Sequence, residues 1–310
     1  MYYIITNPAS QSGNDHDRIV KKLESALRDR QIDFETKYTH AADDAGRVAK
    51  DISTRDEENT IIVVGGDGTI NSVVNGIADF SKVKFGFIPA GSANDFAKGL
   101  EIRDINRDPG QDENIRHITD GKVRRTIDLG QIEYDGNTRL FAVSAGIGFD
   151  AAICKESDDS ATRSFFNKLH LGKLTYGVIG LKQLLMAPEV KCDITLSNGT
   201  EFHIGKLVFA TFMNTPYEGG GYKFAPDAVP TDGDINVSAI GDLSRLTVLI
   251  NFPSAHKGTY YRVPGVFHSK APEIKVHADE PLWVHTDGEV IGQPTDFVIR
   301  CLPETLRMIV

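Results

Sequence analysis

The stretch Ile61-Ile62-Val63-Val64-Gly65-Gly66-Asp67-Gly68-Thr69-Ile70-Asn71-Ser72-Val73-Val74-Asn75-Gly76-Ile77 decides the fold. Its first four residues are β-branched with no polar break, the pattern of a strand buried on both faces. Beyond the glycines, Ile70, Val73, Val74 and Ile77 fall on one helical stripe. The unit is strand, tight turn, helix. Glycine lets a backbone approach a bulky anion with no Cβ in the way. The N-terminus of the following helix offers free N–H groups to phosphate oxygens. A glycine-rich turn alone can be no more than a turn; its place between strand and helix is what points to phosphate. The Walker A pattern is absent, so this is not a standard P-loop. Asp67 beside phosphates is a costly charge unless a cation balances it. Mg²⁺ bridging Asp67 and a nucleotide, directly or through water, would do so.

The flanking sequence repeats the unit. Tyr2–Thr6 reads as a strand and Ile19, Val20, Leu23 and Leu27 as a helical stripe; Ile32, Phe34, Thr36 and Tyr38 alternate as a strand does. Ala45, Val48, Ala49 and Ile52 are helical, Lys84–Ile88 is a strand, and Phe96, Ala97 and Leu100 lie on a further helix. Repeated βα units predict a doubly wound parallel sheet, with ligands outside the carboxyl ends of its strands. Glu101–Lys122 is polar and irregular, and the domain junction is expected there. Beyond it the pattern changes. Thr126–Tyr134 and Thr138–Ala145 flank Asp135-Gly136; Lys191–Leu196 and Thr200–Ile204 flank Asn198-Gly199. Both are hairpin turn pairs. Lys206–Phe212, Asp234–Ile240, Glu273–His277, Leu282–Thr286 and Phe297–Cys301 are further strands. Short strands with such turns predict an antiparallel β-sandwich, interrupted by one long helix over about Ser164–Met186.

Composition excludes several classes. The 310 residues, 40% hydrophobic and 25% charged, suit a soluble, well-cored chain of about two domains. Cys154, Cys192 and Cys301 are far apart and in no CxxC pair, which argues against a disulfide scaffold or a cysteine zinc site and for a reducing, cytoplasmic setting. No apolar run nears the ~20 residues of a membrane-spanning helix, and no signal peptide is visible at the N-terminus. A net charge of −9 speaks against a nucleic-acid partner.

Two other loops take the same strand-end position: Asn7-Pro8-Ala9-Ser10-Gln11-Ser12-Gly13 and Pro89-Ala90-Gly91-Ser92-Ala93-Asn94-Asp95-Phe96. Capping of the next helix explains Ser92, Asn94 and Asp95 equally well. Taken with Gly65-Gly66-Asp67-Gly68-Thr69, Asn71 and Asn75-Gly76, these loops resemble the diacylglycerol kinase catalytic domain family, and within it the small soluble bacterial lipid kinases. Ala145-Gly146-Ile147-Gly148-Phe149-Asp150, Leu171-Gly172-Lys173-Leu174-Thr175-Tyr176, Gly219-Gly220-Gly221, Ala225-Pro226-Asp227, Asp232-Gly233-Asp234 and Asp287-Gly288-Glu289 follow in the family's order.

The resemblance implies an α/β ATP-binding domain over 1–125, completed by 294–310, and a β-sandwich lipid domain over 126–293. It implies transfer of the γ-phosphoryl group of ATP, with Mg²⁺, to the hydroxyl of a diacylglycerol-like lipid. ATP would contact Asn7, Pro8, Ser10, Ser12, Gly13, Thr39, Gly65, Gly66, Asp67, Gly68, Thr69, Asn71, Gly91, Ser92, Asn94 and Asp95. Ser92 stands where the family more often has Thr; the hydroxyl is kept. Asp232, with the carbonyls of Val229 and Asp234, would hold a structural Mg²⁺; an Asx turn is the plainer reading of Asp232. Glu289 would be the general base, with Asp287 beside it and Asp67 completing the catalytic set. Phosphoryl transfer needs positioning, charge neutralisation and a proton acceptor, and these residues supply them.

Arg163 to Lys182 carries Arg163, Lys168, Lys173 and Lys182, no acid, and many apolar residues. Such a stretch can rest on an anionic membrane surface, where the lipid resides, or cover the sandwich core. Peripheral membrane association follows from the first. His268, His277 and His285 read as ordinary strand or edge residues. Ser144, in Val-Ser-Ala-Gly, is no nucleophile elbow. An NAD kinase-like phosphotransferase, which shares GGDGT, and a non-catalytic nucleotide- or lipid-binding regulator are the alternatives. A homodimer stays open.

Overall fold

The computed structural model describes residues 1–8, 14–41, 43–102, 112–158, 182, 184, 186 and 188–310. Four parallel strands, β1 (Tyr2–Thr6), β2 (Phe34–Tyr38), β3 (Asn59–Gly65) and β4 (Val83–Pro89), lie in the order β4-β3-β1-β2. All seven residues of β3 are buried, as its unbroken β-branched run requires. Helices α1 (Asn14–Asp29), α2 (Asp44–Ser53), α3 (Asp67–Gly76), the short α4 (Asp95–Gly99) and α5 (Asp112–Asp120) accompany the strands. Helix α2 packs on α3 and α1 on α5. Helix α5 lies in the stretch expected to be irregular. Ile115 and Ile118 are buried while the surrounding polar residues hide the stripe.

Register fixes where the loops go. Thr6 pairs with Val64 and Tyr38, and Gly65 pairs with Pro89. The strands end level, so the segments that begin at residues 7, 39, 66 and 90 share one edge of the sheet.

The second half is antiparallel. It comprises β5 (Arg125–Tyr134), β6 (Asn137–Phe141), β7 (Ser144–Gly148), α6 (Phe149–Asp158), β8 (Val190–Leu196), β9 (Glu201–Met213), β10 (Ile235–Gly241), α7 (Arg245–Asn251), α8 (Pro253–His256), β11 (Val266–Ala271), β12 (Glu273–Ala278), β13 (Val284–Thr286), β14 (Glu289–Gly292) and β15 (Asp296–Met308). Strict in–out alternation along β8 marks a one-faced strand. Inward side chains of β5, β7, β8, β9, β10, β12, β13 and β15 meet in one core, closing the sandwich. Segments 200–204 and 206–212, expected as two strands, form the single strand β9. Helices α7 and α8 and strands β11 and β14 were not foreseen. The helix expected over 164–186 lies almost wholly outside the described residues.

Strand β15 belongs to both halves. It pairs with β12, runs antiparallel to β5 from Phe297↔Tyr134 to Met308↔Arg125, and meets β4 in parallel at Met308↔Phe85. Leu306, Met308, Ile309 and Val310 are buried in the core of the parallel sheet. A bulge between Leu302 and Leu306 is held by buried Asp128, whose carboxylate accepts the Glu304 and Gly233 amides at 2.8 and 2.9 Å.

Candidate active site

Two glycine turns meet at the sheet edge. Gly66 caps α3 with no side-chain partner. A Cβ on Gly91 would lie 2.6 Å from the Gly66 Cα and 2.9 Å from Asn94 Oδ1. The Gly65–Asn71 and Gly91–Asp95 loops therefore touch backbone to backbone, and a side chain at Gly91 would part them. Asn94 is left-handed (φ 53°) and closes its loop through reciprocal bonds with Gly91: the Gly91 N–H donates to Oδ1 at 2.9 Å and Nδ2 to the Gly91 carbonyl at 2.8 Å. The expected cap of α4 by Asn94 is absent; Asp67 supplies it instead. The amides of Asp95 and Phe96 donate to the Asp67 carboxylate at 3.0 and 3.1 Å. Burial and the neighbouring Asp95 push Asp67 up to about 6. Its other charged neighbour is Asp287, also acidic, so this carboxylate suits a cation.

Asp95 faces inward. It pairs with Lys98 at 2.9 Å and accepts the Gly220 N–H at 2.7 Å. Thr39 is buried, with its hydroxyl on the Thr6 carbonyl at 3.2 Å. Ser92 and Pro8 are exposed, while Ser10, Ser12 and Gly13 lie outside the described residues.

The other wall comes from the sandwich. Asp287 is left-handed (φ 48°) and accepts four N–H groups: Asn71 Nδ2 and Ala142 at 2.9 Å, Val143 at 2.8 Å and Ser144 at 3.0 Å. Burial pushes its pKa up while these donors pull the other way. A carboxylate so filled is an anchor. Asn71 in turn accepts from Arg139 Nη2 at 2.7 Å, and Arg139 Nε donates to Thr286 Oγ1 at 3.0 Å. Asn75 exchanges bonds with the Leu140 backbone at 2.8 and 2.9 Å. Helix α3 is thus tied to β6 and β13. Glu289 is exposed, and a Cβ on Gly68 would stand 3.4 Å from its Oε1. Folding has brought the Asp-Gly-Glu string against the glycine-rich loop.

Beneath this turn lies a cluster with no obvious sequence signal. Asp150, Glu218 and His285 bring ligand-type atoms within 4.8 Å of one another. His285 Nε2 is 3.2 Å from Asp150 Oδ2 and 3.3 Å from Glu218 Oε1. The ring is 1% exposed, so the reading of His285 as an ordinary strand residue is corrected. Its two fellows do fit that reading: His268 stacks on Tyr261, and exposed His277 meets Asp296. Burial pushes Glu218 up to about 7. The Ser144 hydroxyl donates to Glu218 Oε1 at 2.8 Å.

The expected structural metal site has another occupant. Lys270 Nζ lies 2.8 Å from Asp232 Oδ2 and 3.3 Å from Asp234 Oδ2. The Asp234 amide donates to Asp232 Oδ1 at 3.1 Å, and the Val229 carbonyl accepts the Thr231 and Asp232 amides. An ammonium already supplies the positive charge, so Asp232, Val229 and Asp234 as arranged do not fit a metal ion.

Known proteins share this architecture. A crystal structure of a "putative diacylglycerol kinase" from Bacillus anthracis superposes with a TM-score of 0.73 over 99% of this chain and 96% of that one, at 22% identity. An Archaeoglobus fulgidus NAD kinase in complex with ATP superposes at 0.54 over 99% and 92%, at 13% identity. Both likenesses concern the fold alone. Residues 1–132 match the diacylglycerol kinase catalytic domain, and residues 142–310 match the YegS C-terminal NAD kinase beta sandwich-like domain. A Bacillus subtilis protein named "Putative lipid kinase YtlR" is 30% identical over 99% of this chain and 98% of its own length. The diacylglycerol kinase of the same organism is 31% identical over 95% and 92%. The chain belongs to the diacylglycerol kinase catalytic domain family, in its two-domain form with a YegS-type sandwich.

Proposed function

We propose that this protein is an ATP- and Mg²⁺-dependent kinase that phosphorylates the hydroxyl of a diacylglycerol-like lipid, working as a peripheral enzyme at the cytoplasmic membrane face. The observation that carries the reading is the Glu289 carboxylate poised beside Gly68, at the N-terminus of α3. In it, the α/β domain (1–125 with 294–310) binds ATP, with phosphates over Gly65, Gly66, Gly68 and Thr69 and the Gly91–Ser92 loop alongside. Asn7, Pro8, Ser10, Ser12, Gly13 and Thr39 border the nucleotide on the neighbouring strand ends. Asn71, Asn94 and Asp95 hold the loops that frame it. Asp67 is the carboxylate to which a magnesium ion bound with the nucleotide fits; such an ion neutralises phosphate charge during transfer. The Glu289 carboxylate takes the proton of the lipid hydroxyl as its oxygen attacks phosphorus. Asp287, filled by four donors, fixes the turn rather than accepting that proton. The sandwich domain (126–293) receives the lipid. The basic segment 163–182 lies outside the described residues except Lys182, which pairs with Glu156 at 2.6 Å. No helix among the described residues is long and apolar enough to cross a membrane.

The test is transfer of γ-labelled phosphate from ATP to a total lipid extract with Mg²⁺, wild type beside Asp67→Ala. A labelled lipid made by wild type alone is the expected result. Label appearing on added NAD instead, with none on lipid, would overturn it.

A further inference from the structure

Resting on the kinase reading, we propose that His285 is the positioning residue for the general base: its Nδ1 holds the Gly288 N–H and so fixes the turn that presents Glu289 to the glycine-rich loop. The Gly288 amide donates to Nδ1 at 3.1 Å. Gly288 lies between Asp287, anchored from the other side by Ser144, Val143, Ala142 and Asn71, and Glu289 itself. Asp287 anchors one end of the turn and His285 its middle.

The ring is held in turn. Strand β7 pairs with β13, setting Gly146 opposite His285. A Cβ at Gly146 would collide with His285 Nε2 and with Asp150 Oδ2. Glycine there leaves room for Asp150, in the first turn of α6, to reach back to the imidazole. Glu218 arrives from the start of the Gly219-Gly220-Gly221 turn, whose φ values of 63°, 87° and 115° suit glycine. That turn is closed by reciprocal Glu218 and Tyr222 backbone bonds at 2.9 and 3.0 Å. Its Gly220 amide is the donor to Asp95, which connects the cluster to the loop that Asp67 caps.

A metal ion would need the Nε2 lone pair. The ring proton would then sit on Nδ1 and point at the Gly288 N–H, donor against donor. The two carboxylates favour a positive ring and push it up to about 9 against burial, but the same amide opposes a second proton. The geometry therefore selects the neutral ring with its proton on Nε2, shared toward Asp150 and Glu218. Nothing else in the chain supplies an acceptor to Gly288 among the bonds of the described residues.

Two substitutions separate the ring's nitrogens. In His285→Asn the amide oxygen takes the place of Nδ1 and keeps the Gly288 bond. In His285→Gln the amide reaches the Nε2 position and leaves Gly288 without its acceptor. The expected result is a fall in lipid-kinase kcat of about 30-fold for Gln with KM for ATP within about twofold, and recovery to within about threefold of wild type for Asn. Equal losses in the two variants, or loss in neither, would overturn the proposal. Imidazole ¹⁵N shifts of the full-length wild type, without substrate, give a reading independent of turnover and of variant folding. An unprotonated Nδ1 on His285 is expected; a protonated Nδ1 overturns the proposal. Failure of wild type to phosphorylate any lipid would instead overturn the kinase reading and leave the ¹⁵N result standing.

Discussion

The two walls of the candidate site are built in opposite ways. The α/β wall is local: Gly65–Asn71 and Gly91–Asp95 are contiguous, glycine-bearing strings, and Asp67 and Asn94 close them with bonds to neighbouring backbone amides. The sandwich wall is assembled from Arg139, Ala142–Ser144, Asp150, Glu218 and the 285–289 turn, which only tertiary pairing unites. It works through ionisable side chains held by partners distant in the chain, as Asp287 is by Asn71 and His285 by Asp150. A short string of residues suffices where a helix terminus supplies the donors. Where a side-chain carboxylate must be aimed, several segments must agree.

Kinetics can break this contrast. The largest effects belong to the charged groups at the centre. Glu289→Gln should lower kcat by roughly 10³-fold with KM for ATP changed less than about threefold, because a general base acts only in the chemical step. Steady-state phosphorylation of a lipid in mixed micelles reads both constants. A raised KM with unchanged kcat would move Glu289 from chemistry to binding and erase the distinction between the walls.

Gly91→Ala should act oppositely, on ATP. Its Cβ would press within 2.6 Å of the Gly66 Cα, at a cost of about 1–3 kcal/mol in stability. KM for ATP should rise about tenfold, with kcat less affected; titration with a fluorescent nucleotide checks binding directly. Unchanged affinity would mean that the contact between the glycine turns is incidental to the nucleotide.

Asn75→Ala tests the tie between the walls. It removes two bonds to the Leu140 backbone, and because Asn75 is exposed the loss should be near 1 kcal/mol, seen as a small fall in Tm.

A further effect is electrostatic. Asp67 has a folded pKa raised from 3.8 to about 6. Its contribution is complete below pH 3.8 and lost as pH rises through about 6. The Tm of Asp67→Asn relative to wild type, measured without nucleotide, should therefore climb by a few degrees from about pH 4 to about pH 7. A flat difference would mean that Asp67 ionises in the fold as it does in the open chain.

The same contrast explains what could be read from the sequence. Strand β3, helix α3 and both glycine loops were legible because short-range patterning encodes them: β-branched run, glycine turn, helical stripe. Strand β8 was legible from the Asn198-Gly199 hairpin pair that follows it. His285 was not, since one histidine in a strand carries no spacing signal. Glu218 was hidden beside Gly219-Gly220-Gly221, a string that carries the family resemblance but says nothing of the residue before it. Asn71 was read as a nucleotide contact; in the fold it holds Asp287 and receives Arg139. At Asp232 the family resemblance implied a cation where the local string read more plainly as an Asx turn; Lys270, on β11, lay too far along the chain to be counted. Helix α5 was missed because two buried isoleucines were outvoted by charge.

Strand β15 has a consequence for the order of synthesis. The parallel sheet begins with Tyr2, yet Leu306, Met308 and Ile309 fill part of its core. A nascent chain that has emerged only as far as residue 132 lacks those side chains and the strand that borders β4. At about 5–20 residues per second, the α/β half waits on the order of ten seconds or more for them. During that interval the edge of β4 at Phe85 lacks its partner and is open to mispairing. The half of the molecule that is made first is therefore among the last to finish folding.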